Sequence, residues 1–359
     1  MGCHNCAKKR VNTTLLRASA PTHTITDVGH IEDGVVVVEL PPDNTPSERI
    51  LPGVIDLIAP SLGTHDAAGM GDSFLIGSVA QALQKKYPDF SVRIITLENV
   101  RDWAALASNG MQTDDINNTR RKLGERAAYS SALNTYRVDE ACLAGGINRH
   151  QFYAQQFDVS YDEVKKWSVK VDGRAIEKMN TWLRPALDEL RPIVAISPFA
   201  TKFTRTWPLR KWLNLIIRLQ ERNFAVYVLD HPRMANDPSP AHHLMAKLLA
   251  SPNVHEVAAV VMQSDLLIAG DTGTAHLAGW TRTPALALCG PTNGNIVFGG
   301  WDTVEHIQAP CIEEAPGCTW SQKRGWRTWC ALGCDALESL SVEAVEQRAI
   351  EMLAKRREL

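Results

Sequence analysis

Leu267 to Gly279 reads LIAGDTGTAHLAG. It opens as an apolar strand, breaks at Gly270-Asp-Thr-Gly-Thr274 and resumes as a small-residue helix carrying His276. Strand, tight polar turn and helix in direct succession are the elements of a parallel α/β fold. The first N–H groups of such a helix have no partner within it, so the turn is a natural anion site. Asp271 is an acid suited to capping that helix. His276, one turn in, reads equally as a structural histidine or a ligand contact.

The stretch sits in a repeating scheme. Pro192-IVAISP is a strand ending in the loop FATKFTRTWP, and a helix runs from Leu209 to Arg222. Phe224-AVYVLDHP is the next strand, His242 to Ala250 reads as helix, and Asp265-LLIAG leads into the opening stretch. Pro284-ALALCGPT is a further strand, and Ser341 to Arg357 is a terminal amphipathic helix. Strands and helices alternating at this spacing predict a doubly wound sheet.

The first half carries the same logic. Val54-IDLIAPS is an apolar strand, Gly69-Met-Gly-Asp72 a turn, Ser73 to Lys86 a helix and Ser91-VRIITLEN a strand. That is a βαβ unit. Gly34-VVVVEL reads as one more buried strand, Pro41 to Pro52 as a loop, and Asp115 to Ala154 as largely helical. Arg184 to Pro192 is the expected linker. The predicted organisation is an extension over residues 1–50, one Rossmann-like domain over 51–188 and a second over 189–359, with a cleft between the two domains.

Bulk properties narrow the class. At 359 residues two domains are the default. Apolar residues are 45% and charged residues 22%, as in soluble globular proteins. A formal net charge of -2 argues against bulk nucleic-acid binding. No apolar run approaches the ~20 residues of a membrane span. MGCHNCAKKR lacks the apolar centre of a signal peptide, and Cys6 stands where a myristoylation signal needs Ser or Thr. The chain is expected to be cytoplasmic.

Four of the eight cysteines, Cys311, Cys318, Cys330 and Cys334, fall within one short stretch. In a reducing compartment such a cluster points to a metal more than to disulfides. The spacing is not that of a standard zinc ribbon, and four buried thiols beneath a loop are the alternative. The CxxC of Cys3 and Cys6 reads as a frayed end.

Ligands of doubly wound sheets bind at the carboxyl ends of the strands. Three loops lie there. Gly69-Met-Gly71-Asp72 offers tight backbone and a carboxylate, either a helix cap or a base that accepts a proton from an attacking hydroxyl. Thr201-Lys202-Phe-Thr-Arg205-Thr-Trp-Pro208 brings hydroxyls and two cations before a helix, suited to a diphosphate or merely solvated. Asp271-Thr272-Gly273-Thr274 adds N–H groups and hydroxyls.

In order and spacing, Gly69-MGDSFLIGSVAQALQKKYP, Ser197-PFATKFTRTWP, Asp271-TGTAHLAG and Ala287-LCGPT resemble the heptosyltransferase-type glycosyltransferases, glycosyltransferase family nine. The resemblance implies a GT-B fold, in which two Rossmann-like domains face across a cleft, and an inverting transfer that requires no metal or other cofactor. It implies Asp72 as general base, and Thr201, Lys202, Arg205, Thr272 and Gly273 around the diphosphate. Asp230, at the end of a strand, falls where such folds contact the ribose. The family's usual donor makes ADP-heptose the first expectation; the acceptor is a saccharide, a lipopolysaccharide core or a protein. The cysteines loosely match a branch that glycosylates autotransporter proteins, whose four-cysteine iron site is structural. That makes iron or zinc the expected metal at the cluster.

Residues 1–50 depart from the family pattern and are expected to bind partners or drive oligomerisation. Two rival readings share the architecture: a nucleotide-sugar epimerase, and a silent GT-B protein serving assembly. A dehydrogenase is disfavoured, because no G-x-G-x-x-G follows a strand.

Overall fold

The computed structural model describes residues 31–32, 35–36, 54–58, 70–89, 91–115, 135–200, 203–229, 246–249, 252–309 and 336–357. β1 (Ile31–Glu32) and β2 (Val35–Val36) pair antiparallel, so Gly34-VVVVEL contributes to a short hairpin where one strand was expected. β3 (Val54–Ile58), β4 (Ser91–Thr96) and β5 (Thr113–Asp115) form a parallel sheet in the order β3-β4-β5.

Between β3 and β4 runs α1 (Met70–Lys86), three residues longer at its start than expected. Every residue from Gly71 to Ala80 is buried. A helix buried on all faces is covered by neighbours on all sides. One neighbour is α2 (Arg101–Ala107), where Gly77 lies against the Ala107 backbone. A Cβ on Gly77 would come within 2.4 Å of the Ala107 Cβ, so only glycine permits that approach.

Then follow α3 (Thr135–Gly145), α4 (Arg149–Gln156), the short α5 (Tyr161–Val164) and α6 (Gly173–Asp188). α4 starts where Asn148 and Gln151 form a reciprocal capping box. α6 is capped by Asp172 and buries Ala175, Met179, Leu183 and Ala186, a helical stripe at intervals of four, four and three. The expected linker from Arg184 is therefore helical as far as Asp188. Its turn comes only at Leu190, in a left-handed conformation with φ of 52°.

The second half contains β6 (Ile193–Ser197), α7 (Leu209–Glu221), β7 (Ala225–Leu229), β8 (Lys247–Leu249), α8 (Val254–Gln263), β9 (Leu266–Gly270), α9 (Gly273–Thr281), β10 (Ala285–Cys289), α10 (Gly294–Phe298), β11 (Val304–Gln308), α11 (Ala336–Ser339) and α12 (Val342–Arg357). All six strands are parallel, in the order β11-β10-β9-β6-β7-β8. The four central strands are buried along their whole length, which is why they read as unbroken apolar runs.

Lys247–Leu249 is an edge strand where a helix was expected. Its lysine is exposed, as suits a sheet edge. Sequence reading missed α8, because Asn253-VHEVAAVVMQ is apolar enough to pass for strand. A capping box between Asn253 and Glu256 decides for helix.

The buried core is continuous from α1 to α9, where Phe74 meets Trp280 at 5.6 Å between ring centroids. Trp167 locks the same junction by donating its indole N–H to the Trp280 carbonyl at 2.7 Å. A second core lies on the other face of the large sheet, under α7 and α12.

Candidate active site

The strand order of the large sheet reverses between β6 and β9. Connections from β6 go one way and those from β9 the other, and a crevice opens at the carboxyl ends there. The loops after β6, β9 and β10 all converge on Asp271. The Thr292 hydroxyl, after β10, donates to its Oδ2, and Arg205 Nη1, after β6, lies 3.4 Å from the same oxygen. Asp271 is only 4% exposed. Burial opposes its charge, but Arg205 and the Thr292 hydroxyl outweigh burial and hold its carboxyl below the ordinary value.

The 203–205 turn is pressed onto the strand ends. A Cβ on Gly270 would meet the Arg205 carbonyl at 2.8 Å, and one on Gly290 the Thr204 carbonyl at 2.9 Å. Trp207, fully buried, anchors this turn by donating its N–H to the Leu340 carbonyl at 3.2 Å.

Asp271 does not cap α9, contrary to one sequence expectation. Thr272 holds the N-cap position without a side-chain cap bond, and its hydroxyl pairs with that of Thr274 at 2.7 Å. Asp271 precedes the cap and is turned back toward Arg205 and Thr292. Neither the Thr272 nor the Asp271 side chain is committed to the first N–H groups of the helix.

α1 lies directly against this helix start. Gly71 faces the His276 ring, where a Cβ would come within 2.5 Å of Cδ2, and Gly273 faces Met70. His276 is buried and accepts the Trp301 indole N–H on Nδ1 at 3.0 Å, which leaves the proton on Nε2. Burial, with Arg149 nearby, depresses its pKa to about 3. It is neutral at pH 7.

Asp72 follows Gly71 and is 7% exposed. It lies in the first turn of α1, two residues beyond the first helical residue, and is not its N-cap. Arg149 Nη1 is 3.7 Å from its Oδ1. Arg149 is itself held by Asp139 through two bonds, Nε to Oδ1 at 2.7 Å and Nη2 to Oδ2 at 2.9 Å. Beside them lie Tyr153 and His150, both buried. Burial and the Asp72 charge push the Tyr153 hydroxyl well above its ordinary value, so it stays protonated. Burial, with His276 and two nearby cations, lowers His150 to about 3. Its ring stands edge-on to Trp301, centroids 4.2 Å apart.

Of the residues singled out from sequence, Gly71, Asp72, Arg205, Asp271, Thr272, Gly273 and His276 are thus brought together. Gly69, Thr201, Lys202, Asp230 and the cysteines Cys311, Cys318, Cys330 and Cys334 lie outside the described residues. Among the described residues no group of three His, Cys, Asp or Glu side chains is placed to hold a metal, and no helix is long and apolar enough to cross a membrane.

Sequence reading gave no role to Thr292, Trp301, Asp139, Arg149, His150 or Tyr153. Thr292 stood in the Gly-Pro-Thr already singled out. Asn148-Arg-His-Gln151 carries a legible capping box, but nothing in it tells that Arg149 is buried.

Two parallel α/β units, with a Rossmann order in the second and helix starts meeting at its switch point, are the architecture of the GT-B class of sugar-nucleotide enzymes. The sequence model for glycosyltransferase family 9 (heptosyltransferase) matches residues 120–313, more than half of the chain. The chain belongs to that family and is a glycosyltransferase.

Solved structures agree on the fold. A family 9 glycosyl transferase from Veillonella parvula superposes with a TM-score of 0.60 at 13% identity, over 84% of this chain and 97% of that one. The ADP-heptose lps heptosyltransferase II of E. coli gives 0.57 at 14%, over 85% and 99%. The E. coli heptosyltransferase WaaC, solved with ADP, gives 0.50 at 16%, over 83% and 97%. No curated protein matches the sequence significantly.

Proposed function

We propose that this glycosyltransferase moves a heptose from ADP-heptose to an acceptor hydroxyl with inversion at the anomeric carbon. The observation that supports this most is the meeting of α1 with the start of α9, Gly71 against His276 and Met70 against Gly273, which sets the buried Asp72 near a helix start whose preceding residue, Asp271, pairs with Arg205. On this reading residues 51–188 carry the acceptor and residues 189–359 the donor.

Asp72 takes the proton from the acceptor hydroxyl as its oxygen attacks the anomeric carbon. The carbon–oxygen bond to the diphosphate breaks on the opposite face. The charge arriving on the leaving diphosphate is met by Arg205 and by the α9 N–H groups at Thr272 and Gly273, with Thr201 and Lys202 completing that loop. Asp271 is too buried and too well paired to meet a phosphate. Its part is to hold Arg205 and Thr292 at the crevice. His276, neutral and fixed by Trp301, offers its Nε2–H side toward α1. Asp230 would reach the ribose. The acceptor is a saccharide, a lipopolysaccharide core or a protein.

The test is thermal shift with ADP-, GDP-, UDP- and TDP-sugars, together with turnover of ADP-heptose. Binding at 100 times the dissociation constant adds about 2.7 kcal/mol of stability. ADP-heptose should raise the melting temperature, Arg205→Ala should abolish that rise, and Asp72→Asn should keep the rise and lose turnover. A wild-type protein unmoved by every nucleotide-sugar would refute the donor site.

A further inference from the structure

We propose that Arg149, clamped by Asp139, is the positioning residue that keeps Asp72 an oriented carboxylate in a buried site. The inference rests on Asp72 being the base.

A carboxylate at the α1–α9 junction is expensive, because burial favours its neutral form. A neutral acid cannot accept a proton. Something must therefore supply positive charge, and the histidines do not. His276 on α9 and His150 on α4 are both held near 3 and are uncharged at working pH. Tyr153 on α4 stays protonated, and burial together with Asp139 pushes the Cys142 thiol on α3 up to about 12, so neither adds charge of either sign. Arg205 is engaged with Asp271. Among the described residues Arg149 is the cation in ion-pair range of Asp72.

The geometry around Arg149 is that of a held tool. Two of its nitrogens are spent on Asp139 in a forked pair, the most directional arrangement a guanidinium makes. The third, Nη1, is left facing Asp72. The Asn148–Gln151 capping box fixes the start of α4, and hence the base of the arginine, from the other end. Burial alone would disfavour the guanidinium charge, but Asp139 and then Asp72 outweigh it and hold its pKa above the ordinary value. A pair satisfied only with Asp72 would draw Arg149 fully onto the base and block it. Asp139 takes that load, and Nη1 faces Asp72 at 3.7 Å.

The test uses the full-length protein carrying ¹³Cγ-aspartate, with the Asp72 carboxyl signal assigned by its loss in Asp72→Asn. Opposite charge at this range moves a carboxyl titration by about 1 to 3 pH units. In Arg149→Met the Asp72 midpoint should rise by that amount, and in Arg149→Lys by less, since the charge remains while the fork is lost. Arg149→Met leaves Asp139 bare, so Arg149→Met/Asp139→Asn is measured beside it and should show a rise in the same direction but smaller, because the negative charge of Asp139 goes too. ADP release from ADP-heptose should show the acid limb of kcat moving with the midpoint and donor KM unchanged.

A midpoint unmoved in the folded variants overturns the inference. Turnover surviving in Asp72→Asn overturns instead the assignment of the base, and leaves the titration result standing. A shifted donor KM with an unmoved midpoint would give Arg149 a merely structural part and also overturn it.

Discussion

Removing Arg205 probes the pairing at the switch point directly. At 3.4 Å, two unit charges in an effective dielectric of 20 attract by about 5 kcal/mol. That is a gross figure. The Arg205 side chain is one-fifth exposed, so water recovers part of the loss, and Thr292 still donates to Asp271. Arg205→Ala should therefore cost about 1 to 3 kcal/mol of unfolding free energy at pH 7.

The cost should depend on pH. The Asp271 carboxyl titrates below its ordinary 3.8 in the folded protein, so on acidification the unfolded chain binds that proton first. The stabilisation is complete above about pH 4 and fades below it. The difference between wild type and Arg205→Ala should shrink in the same window. Urea unfolding at pH 7, 5 and 3.5 for wild type, Arg205→Ala, Asp271→Asn and the double variant completes the cycle. A coupling near zero at pH 7, or one that does not fall by pH 3.5, would show that the pair does not hold the turn.

Gly71→Ala should cost about 1 to 3 kcal/mol despite the better helix propensity of alanine, because its Cβ would reach 2.5 Å from a histidine ring that cannot move. Gly173→Ala, at a helix start with nothing within 4 Å, should be neutral or stabilising by thermal melting. Trp301→Phe should remove the indole N–H from His276 and lower stability by about 1 to 3 kcal/mol. His150 and His276 are both neutral when folded, down to about pH 3, while unfolded histidine protonates near 6.5. Unfolding free energy should then fall as pH drops below 6.5, with a slope of up to about two protons, and His150→Gln should reduce that slope by up to one.

Much of the fold lay open in local pattern. Strands β6, β7, β9 and β10 were legible because a strand buried on both faces must be apolar throughout, and α7 because its buried face recurs at helical spacing. Lys247–Leu249 was misread because three residues carry no period, and only pairing with β7 makes them a strand.

The site divides along the same line. Asp72, Arg205 and Thr272–His276 sit at strand–helix junctions, where sequence order alone places polar groups at the carboxyl end of a sheet. What lay beyond sequence was contact across it. The reversal between β6 and β9 is a property of strand order, and it alone sets Arg205 against Asp271. The role of Asp271 as a buried anchor and not a cap, and the meeting of Asp72 with the Asp139–Arg149 pair, depend on contacts between residues more than sixty positions apart in the chain. A carboxylate reads the same on paper whether water or an arginine faces it. The sequence by itself determined which elements form and which polar residues stand at their ends; tertiary structure decided which charges meet, because burial and distance, on which their energies depend, exist only once α1, α4 and α9 are packed together.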